Sequence, residues 1–96
     1  MQDKFKDIKL DELFEAILSL KDADDCYAFF DDLCTVQELK AISQRLQVAK
    51  MLDKQRVYND IVAETGASTA TISRVNRSLH YGSGGYRAVF DRLYEK

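Results

Sequence analysis

Apolar side chains recur three or four residues apart along most of the chain. The first stripe comprises Leu10, Leu13, Phe14, Ile17 and Leu18, and the second comprises Cys26, Tyr27, Phe29, Phe30, Leu33 and Cys34. Each stripe predicts an amphipathic helix because such positions share one helix face, and the second helix would open at residues 23–25. Proline is absent, three of the four glycines lie at residues 82–85, and no segment alternates with a two-residue period. The chain is therefore predicted to be all-α, with about six helices.

A capping box marks the start of the third helix. Thr35 is the predicted N-cap, and Glu38 lies three residues later, where its carboxylate reaches back to a free amide. The apolar stripe that follows is Leu39, Ile42, Leu46, Ala49 and Leu52, and this helix is expected to end near residues 53–55. A last helix begins at Tyr86 after a flexible joint at residues 81–85. Its predicted inward residues are Val89, Phe90 and Leu93.

Residues 57–79 have the pattern of a helix-turn-helix. A short fourth helix, about residues 57–65, turns Ile61 inward, with Val62 as a second candidate for burial. Gly66 supplies the turn because glycine adopts a positive φ at little cost, and Ser68 is the N-cap of the fifth helix. The predicted inward residues of that helix are Ile72, Val75 and Leu79. Two short helices joined in this way place the second one in the major groove of DNA.

The candidate DNA-binding residues are small side chains and cations around this unit. The start of the fifth helix carries Ser68, Thr69, Ala70, Thr71 and Ser73, without Asp or Glu. The free amides of a helix N-terminus suit a phosphate, hydroxyls bond to bases or phosphates, and methyl groups suit a thymine methyl. The phosphate-binding candidates are Lys54, Arg56 and Arg77. The alternative is that Ser68 only caps the helix and that the other side chains are solvated surface.

The charge distribution favours the same region as the contact with double-stranded DNA. The net charge is −2, but residues 1–39 hold 4 Lys/Arg against 11 Asp/Glu, whereas residues 40–80 hold 7 against 3. Affinity for DNA depends on cations near phosphates rather than on the total charge. The acidic first third would limit indiscriminate DNA binding.

The remaining composition excludes several classes of protein. No Cys/His cluster has zinc-site spacing, and we find no acid–base pair, nucleophile elbow or phosphate loop, so no metal, cofactor or enzymatic activity is predicted. No apolar run approaches the ~18 residues of a membrane span, and residues 1–7 do not form a signal-peptide core. The protein is expected to be cytoplasmic. Cys26 and Cys34 are expected to be buried free thiols, too far apart on one helix to bridge.

The apolar faces exceed what one chain of 96 residues can bury. The surplus residues are Phe14, Ile17, Leu18, Phe29, Phe30, Phe90 and Tyr94. We expect a single domain, residues 1–96, that forms a homodimer in which residues 1–34 and 86–96 are dimerisation helices. The alternative is a compact six-helix monomer.

Several segments together resemble the Trp repressor superfamily. They are residues 16–21, 29–35, 44–49, 64–74 and 79–82, of which Gly-Ala-Ser-Thr-Ala-Thr-Ile-Ser-Arg at 66–74 is specific in combination with Leu-Cys-Thr at 33–35 and Gln-Arg-Leu at 44–46. Almost the whole chain is similar to the Trp-repressor-like proteins of the YerC/YecD type. The resemblance implies an intertwined homodimer with two helix-turn-helix units. It also implies that Tyr58 and Asn59 face the DNA backbone or groove edge, although Tyr58 could instead pack against the third helix.

The resemblance further implies an amino-acid effector between the helix-turn-helix and the dimer core. The matching positions are Arg45, Arg74, Thr35 and Ser78. A guanidinium pair suits an effector carboxylate because each fork matches two oxygens; alternatively, the arginines pair with nearby acids or Arg74 meets a phosphate. The family's glycine after the second arginine is Val75 here, and its added bulk in an indole pocket would cost about 1–3 kcal/mol. Either an effector of another shape binds, or Val75 fills the pocket.

The sequence thus predicts a dimeric transcription regulator, expected to be a repressor, that binds a palindromic operator. Control by a small effector such as an amino acid is a further hypothesis, and the identity of that effector is open. Two alternatives remain, namely a helical protein-interaction module that binds no DNA and a DNA binder that needs no ligand.

Overall fold

The computed structural model describes residues 7–94, in which all regular secondary structure is helical. The helices are α1 (Ile8–Leu18), α2 (Ala23–Leu33), α3 (Val36–Asp53), α4 (Tyr58–Thr65), α5 (Thr69–Tyr81) and α6 (Gly85–Tyr94). The prediction of an all-α chain with about six helices is confirmed. Two compact units divide the chain between Leu39 and Lys40, within α3.

Aspartates open both complete helices of the first unit. The Asp7 carboxylate accepts a hydrogen bond from the Leu10 amide at 2.8 Å, and the Asp22 carboxylate accepts one from the Asp25 amide at 2.9 Å. Each bond satisfies an amide without a partner in its own helix, and each negative charge faces the positive end of the helix dipole. No residue of α1 or α2 is buried, and Leu18 is 83% exposed.

The capping box at the start of α3 is confirmed. Thr35 Oγ1 accepts a hydrogen bond from the Glu38 amide at 3.1 Å, and Glu38 Oε1 accepts one from the Thr35 amide at 2.8 Å. The prediction of two buried thiols on one helix is wrong, because Cys26 is exposed and Cys34 is half-buried in extended backbone after α2. An N-cap residue lies outside the helix that it opens, so the cap at Thr35 leaves Cys34 in the short break between α2 and α3.

The core of the second unit draws residues from α3, α4, α5 and α6 and from the turn before α5. Its members are Val48, Ala49, Met51, Ile61, Ala67, Ile72, Val75 and Phe90. Leu52, Leu79 and Tyr86 are partly buried against it. The predicted burial of Ala49, Ile61, Ile72, Val75 and Phe90 is confirmed.

The predicted inward stripe of α3 is only partly correct. Ile42 is 50% exposed and Leu46 is 41% exposed, whereas Val48 and Met51 are buried although the pattern did not select them. The core of this unit meets only the last turns of α3, so the buried face there is set by residues 48–51 and not by a stripe that begins at the helix start. Val89 and Leu93, the other predicted inward residues of α6, are exposed in the single chain, and so is Val62, the second candidate for burial on α4.

An ion pair joins α6 to the end of α3. The Arg87 Nη1 and Nη2 groups donate to the two carboxylate oxygens of Asp53 at 2.8 and 3.3 Å, and Arg87 Nε donates to Asp91 at 2.9 Å. These bonds, chiefly those to Asp53, raise the pKa of Arg87 above its ordinary value. The joint before α6 spans only residues 82–84, because Tyr81 still belongs to α5 and Gly85 already belongs to α6.

Candidate nucleic-acid interface and effector site

Gly66 forms the turn between α4 and α5. Its φ of +72° lies in the left-handed region, and its amide donates to the Val62 carbonyl oxygen at 2.9 Å. Glycine adopts this conformation readily because it has no Cβ to meet the neighbouring carbonyl. The chain can therefore end α4 and begin α5 within three residues.

The Thr65 side chain and carbonyl organise the same turn. Thr65 Oγ1 donates to the Ile61 carbonyl oxygen at 2.7 Å and accepts a hydrogen bond from the Ala67 amide at 3.1 Å. The Thr65 carbonyl oxygen accepts a hydrogen bond from Gln44 Nε2 on α3 at 3.1 Å. Thr65 and Gln44 lie in segments that carry the family resemblance, but neither was predicted as a functional residue. The one local signal for Thr65 is its place directly before the turn glycine, and Gln44 has no local signal.

Ser68 is the N-cap of α5, as predicted. Its Oγ accepts a hydrogen bond from the Thr71 amide and donates to Thr71 Oγ1, both at 3.1 Å. Ala67, directly before the cap, is buried, so the start of α5 is held both by a hydrogen bond and by the core. Thr71 is half-buried and is engaged in the cap.

The remaining predicted residues at the start of α5 form an exposed face. Thr69, Ala70 and Ser73 are exposed, whereas Ile72 and Val75 on the other side of the helix are buried. The first turn of α5 contains no acidic residue. The face therefore presents small side chains beside the positive end of a helix dipole, where no carboxylate repels a phosphate.

Tyr58 and Asn59 occupy the first turn of α4, and both are exposed. Arg56, just before that helix, forms ion pairs with Asp60, at 3.7 Å, and with Glu64. Two carboxylates thus already engage Arg56, which favours its interpretation as a surface ion pair.

Lys54 and Arg77, the other two phosphate-binding candidates, are exposed. Within residues 7–94 neither side chain takes part in an ion pair. No ion pair within these residues has to break before either charge meets a phosphate.

The predicted effector residues lie in different settings. Arg45 on α3 and Arg74 on α5 are exposed, and in the described part of the chain neither has an ion-pair partner. Val75 is 2% exposed and belongs to the core. Thr35 belongs to the first unit, where its hydroxyl caps α3.

Ser78 lines an open cleft of about 550 Å³ in the second unit. The other lining residues are Leu46, Gly82, Ser83, Gly85, Tyr86 and Val89. A side chain at Gly82 would collide with the Ser78 carbonyl group, so this end of the cleft requires glycine. None of Arg45, Arg74 and Val75 lines the cleft.

Two other kinds of site are absent from the part of the chain that the structure describes. Residues 7–94 contain no group of three or more His, Cys, Asp or Glu side chains that could hold a metal ion. Within the same residues, no helix has the length and apolar character needed to cross a membrane.

The family model described as Trp repressor protein matches residues 8–94, which is nearly the whole chain. The chain belongs to the Trp repressor family. It is 55% identical over 93 residues to YerC of Bacillus subtilis strain 168, a protein of uncharacterised function, and the match covers 97% of this chain and 89% of YerC.

Two crystal structures of Trp-repressor-like proteins closely match this fold. A TrpR-like protein from Eubacterium eligens is 59% identical with a TM-score of 0.92, over 96% of this chain and 95% of the other. A protein from Staphylococcus aureus, described as a candidate Trp repressor, is 54% identical with a TM-score of 0.92, over 100% of this chain and 97% of the other. The Trp repressor family is a regulatory, DNA-binding family and not an enzymatic one, so membership suggests a DNA-binding regulator.

Proposed function

We propose that the protein is a cytoplasmic, homodimeric transcription regulator that binds an operator in double-stranded DNA and acts as a repressor. The observation that carries the proposal is the exposed face of Thr69, Ala70 and Ser73 at the start of α5, directly after a turn held by Gly66 and a cap formed by Ser68. A rigid helix N-terminus with small side chains can approach the base edges closely in the major groove.

The cations around this face would supply affinity. Arg74 and Arg77 are exposed on α5, and Lys54 is exposed after α3. Each cation that neutralises a phosphate releases a counterion, which makes binding dependent on salt but not on sequence. In this proposal the hydroxyls of Thr69 and Ser73 carry the sequence preference, directly or through bridging water.

A second copy of the chain would cover the apolar surface that one copy leaves exposed. Phe14 is 49% exposed, Leu18 83% and Leu33 49% in the first unit, and Leu93 is 61% exposed in the second. Large side chains at these fractions are costly to leave in water and are typical of an interface. A two-fold dimer would place two copies of α5 in successive major grooves, about 34 Å apart, and would therefore bind a palindrome.

A ligand-independent DNA binder is the second candidate function. Burial of Val75 in the core supports it, because the added bulk of valine at this position is already packed against other residues and disfavours the insertion of an indole there. The alternative to this candidate is control by an amino acid of another shape through Arg45, Arg74, Thr35 and Ser78. Stabilisation by an amino acid in a thermal-shift series would favour such control, since a ligand that binds only the folded state raises the melting temperature.

Selection of bound genomic fragments, followed by anisotropy titration of the selected sequence, tests the proposed function. We expect the selected palindrome to bind at least about 10³-fold more tightly than bulk DNA at physiological salt. Equal affinity for both would contradict the proposal and favour a protein-interaction module.

A further inference from the structure

Within residues 7–94, one side-chain hydrogen bond ties the turn between α4 and α5 to α3. Gln44 Nε2 donates to the Thr65 carbonyl oxygen at 3.1 Å, across 21 positions of sequence. Thr65 is the last residue of α4, so its carbonyl has no acceptor role within that helix and is open to an outside donor. Gln44 is half-buried, which shields the bond from competing water.

The bond lies at the start of a short chain of contacts that leads to the exposed face of α5. The Thr65 carbonyl belongs to the peptide group that leads into Gly66, the residue with positive φ. Thr65 Oγ1 then accepts a hydrogen bond from the Ala67 amide, and Ser68 caps α5 directly afterwards. A rotation of the peptide group between Thr65 and Gly66 would therefore change the direction in which α5 begins.

The core alone does not fix that direction. Ile61, Ala67 and Ile72 are buried against Val48 and Ala49 of α3, but apolar contacts are non-directional and tolerate small rotations. A hydrogen bond weakens steeply when its angle departs from linearity. The core thus holds α4 and α5 close to α3, whereas the bond from Gln44 selects one orientation.

We propose that Gln44 is a positioning residue for DNA recognition, which fixes the orientation of the turn and hence of Thr69, Ala70 and Ser73. The inference rests on the proposed function. It assigns to α3 a role in sequence preference through a side chain that need not touch a base.

Gln47 provides the matched control, because it lies on the same helix and lines the same surface cleft as Gln44 and Thr65. It is exposed, and within residues 7–94 it forms no side-chain hydrogen bond. Substitution by Met keeps the length of the glutamine side chain but removes its donor. Substitution by Glu keeps its shape and replaces the donor with a carboxylate, which repels the Thr65 carbonyl.

The experiment compares Gln44→Met and Gln44→Glu with Gln47→Met and Gln47→Glu. Amide hydrogen exchange of Ala67 is measured in the free protein, and the ratio of operator affinity to bulk-DNA affinity is measured by anisotropy. We expect Gln44→Met to speed exchange at Ala67 and to lower the affinity ratio, each about fivefold, the value of one ordinary hydrogen bond. Gln44→Glu should have a larger effect than Gln44→Met on both measurements. Neither Gln47 variant should change the exchange rate at Ala67. Gln47→Met should leave the affinity ratio unchanged, and Gln47→Glu shows how much of the effect of Gln44→Glu on that ratio comes from the added charge alone.

Unchanged exchange at Ala67 in Gln44→Met overturns the inference, as does faster exchange with an unchanged affinity ratio. Equal effects of the Gln44 and Gln47 substitutions overturn it too, because they would assign the effect to the helix surface in general. A parent protein without any sequence preference overturns the proposed function itself, and with it the role of Gln44 in DNA recognition. If Gln44→Met does not fold, the Glu pair decides by the same criteria.

Discussion

Arg87 on α6 holds the carboxylate of Asp53, the last residue of α3, through hydrogen bonds of 2.8 and 3.3 Å. Among residues 7–94 it is the one ion pair that joins two different helices. Phe90, one turn later on α6, is buried in the core. The apolar anchor Phe90, with Tyr86 partly buried beside the core, and the Arg87–Asp53 ion pair therefore both contribute to the position of α6 on the second unit.

A double-mutant cycle should reveal this coupling. We expect Arg87→Met and Asp53→Asn each to lower the urea midpoint of unfolding. The double variant should unfold with the midpoint of Arg87→Met, because Asp53→Asn has no bond to Arg87 left to weaken once the guanidinium is gone. Arg92→Met, on the same helix, should leave the midpoint unchanged. Additive losses in the double variant would mean that the two side chains act independently.

Substitution of Gly66 should destabilise the protein through backbone strain alone. Gly66→Ala places a Cβ at a φ of +72°, although no atom lies within 4 Å of it. We expect a loss of about 1–2 kcal/mol in the free energy of unfolding, the cost of the left-handed conformation for an L-residue. Gly85→Ala, also free of neighbouring atoms but without positive φ, is the control and should cause no loss. Equal stability of the two variants in urea titrations would refute the argument.

Truncation of Val75 should behave as a core substitution. Val75 is 2% exposed, so we expect Val75→Ala to lower the free energy of unfolding by about 2 kcal/mol through lost burial and a small cavity. Val62→Ala, at a position that is 38% exposed, should cost clearly less. A Val75→Ala loss no larger than that of Val62→Ala would show that Val75 is not packed, which would reopen the case for an effector pocket there.

A negative charge at Thr69 should separate DNA binding from folding. Thr69 is exposed and is the first residue of α5, so Asp there faces the positive end of the helix dipole and should not destabilise the fold. The same charge repels phosphates, and we expect Thr69→Asp to weaken operator binding at least about tenfold. Thr69→Asn, which has nearly the same shape and no charge, is the control. Undiminished affinity in Thr69→Asp would place the DNA contact elsewhere.

A charged residue introduced on the exposed apolar surface of α1 should dissociate the proposed homodimer. Leu18 is 83% exposed in the single chain, so Leu18→Glu would cost a monomer little. In a dimer that covers this residue, the buried carboxylate would be unpaired, and we expect dissociation in sedimentation experiments. Lys9→Glu on the same helix controls for charge. A Leu18→Glu protein that sediments as a dimer, like the parent, would exclude Leu18 from the interface, and a monomeric parent would contradict the proposed homodimer.

Local interactions made much of the fold predictable. The capping box of Thr35 and Glu38, the cap by Ser68 and the turn at Gly66 each depend on residues within a few positions of one another. Short-range geometry of this kind can be recognised from residue type and spacing alone. Burial on α3 was harder to predict from the sequence. Val48 and Met51 are buried in place of Ile42 and Leu46, because burial depends on where three other helices contact α3.

The features of the candidate site also differ in whether they depend on local or on long-range contacts. The exposure of Thr69 and Ser73 follows from the helical period of α5, whose opposite face carries Ile72 and Val75. The bond from Gln44 to Thr65 spans 21 positions and has no periodic signature, so sequence patterning could not predict it. The pairing of Arg56 with Glu64 spans eight positions and likewise depends on how the two side chains are oriented.

The contacts that hold the turn do not involve the side chains of the exposed face at the start of α5. The hydrogen bonds of the turn are made by Gly66, Thr65 and Ser68, whose partners are backbone groups, Gln44 and Thr71. The side chains that project to solvent are those of Thr69, Ala70 and Ser73. Substitutions at these three positions can therefore accumulate without loss of the fold. If the protein binds DNA through this face, duplicated copies of its gene could diverge towards new target sequences by changes in three codons. A designer could likewise exchange these three side chains together.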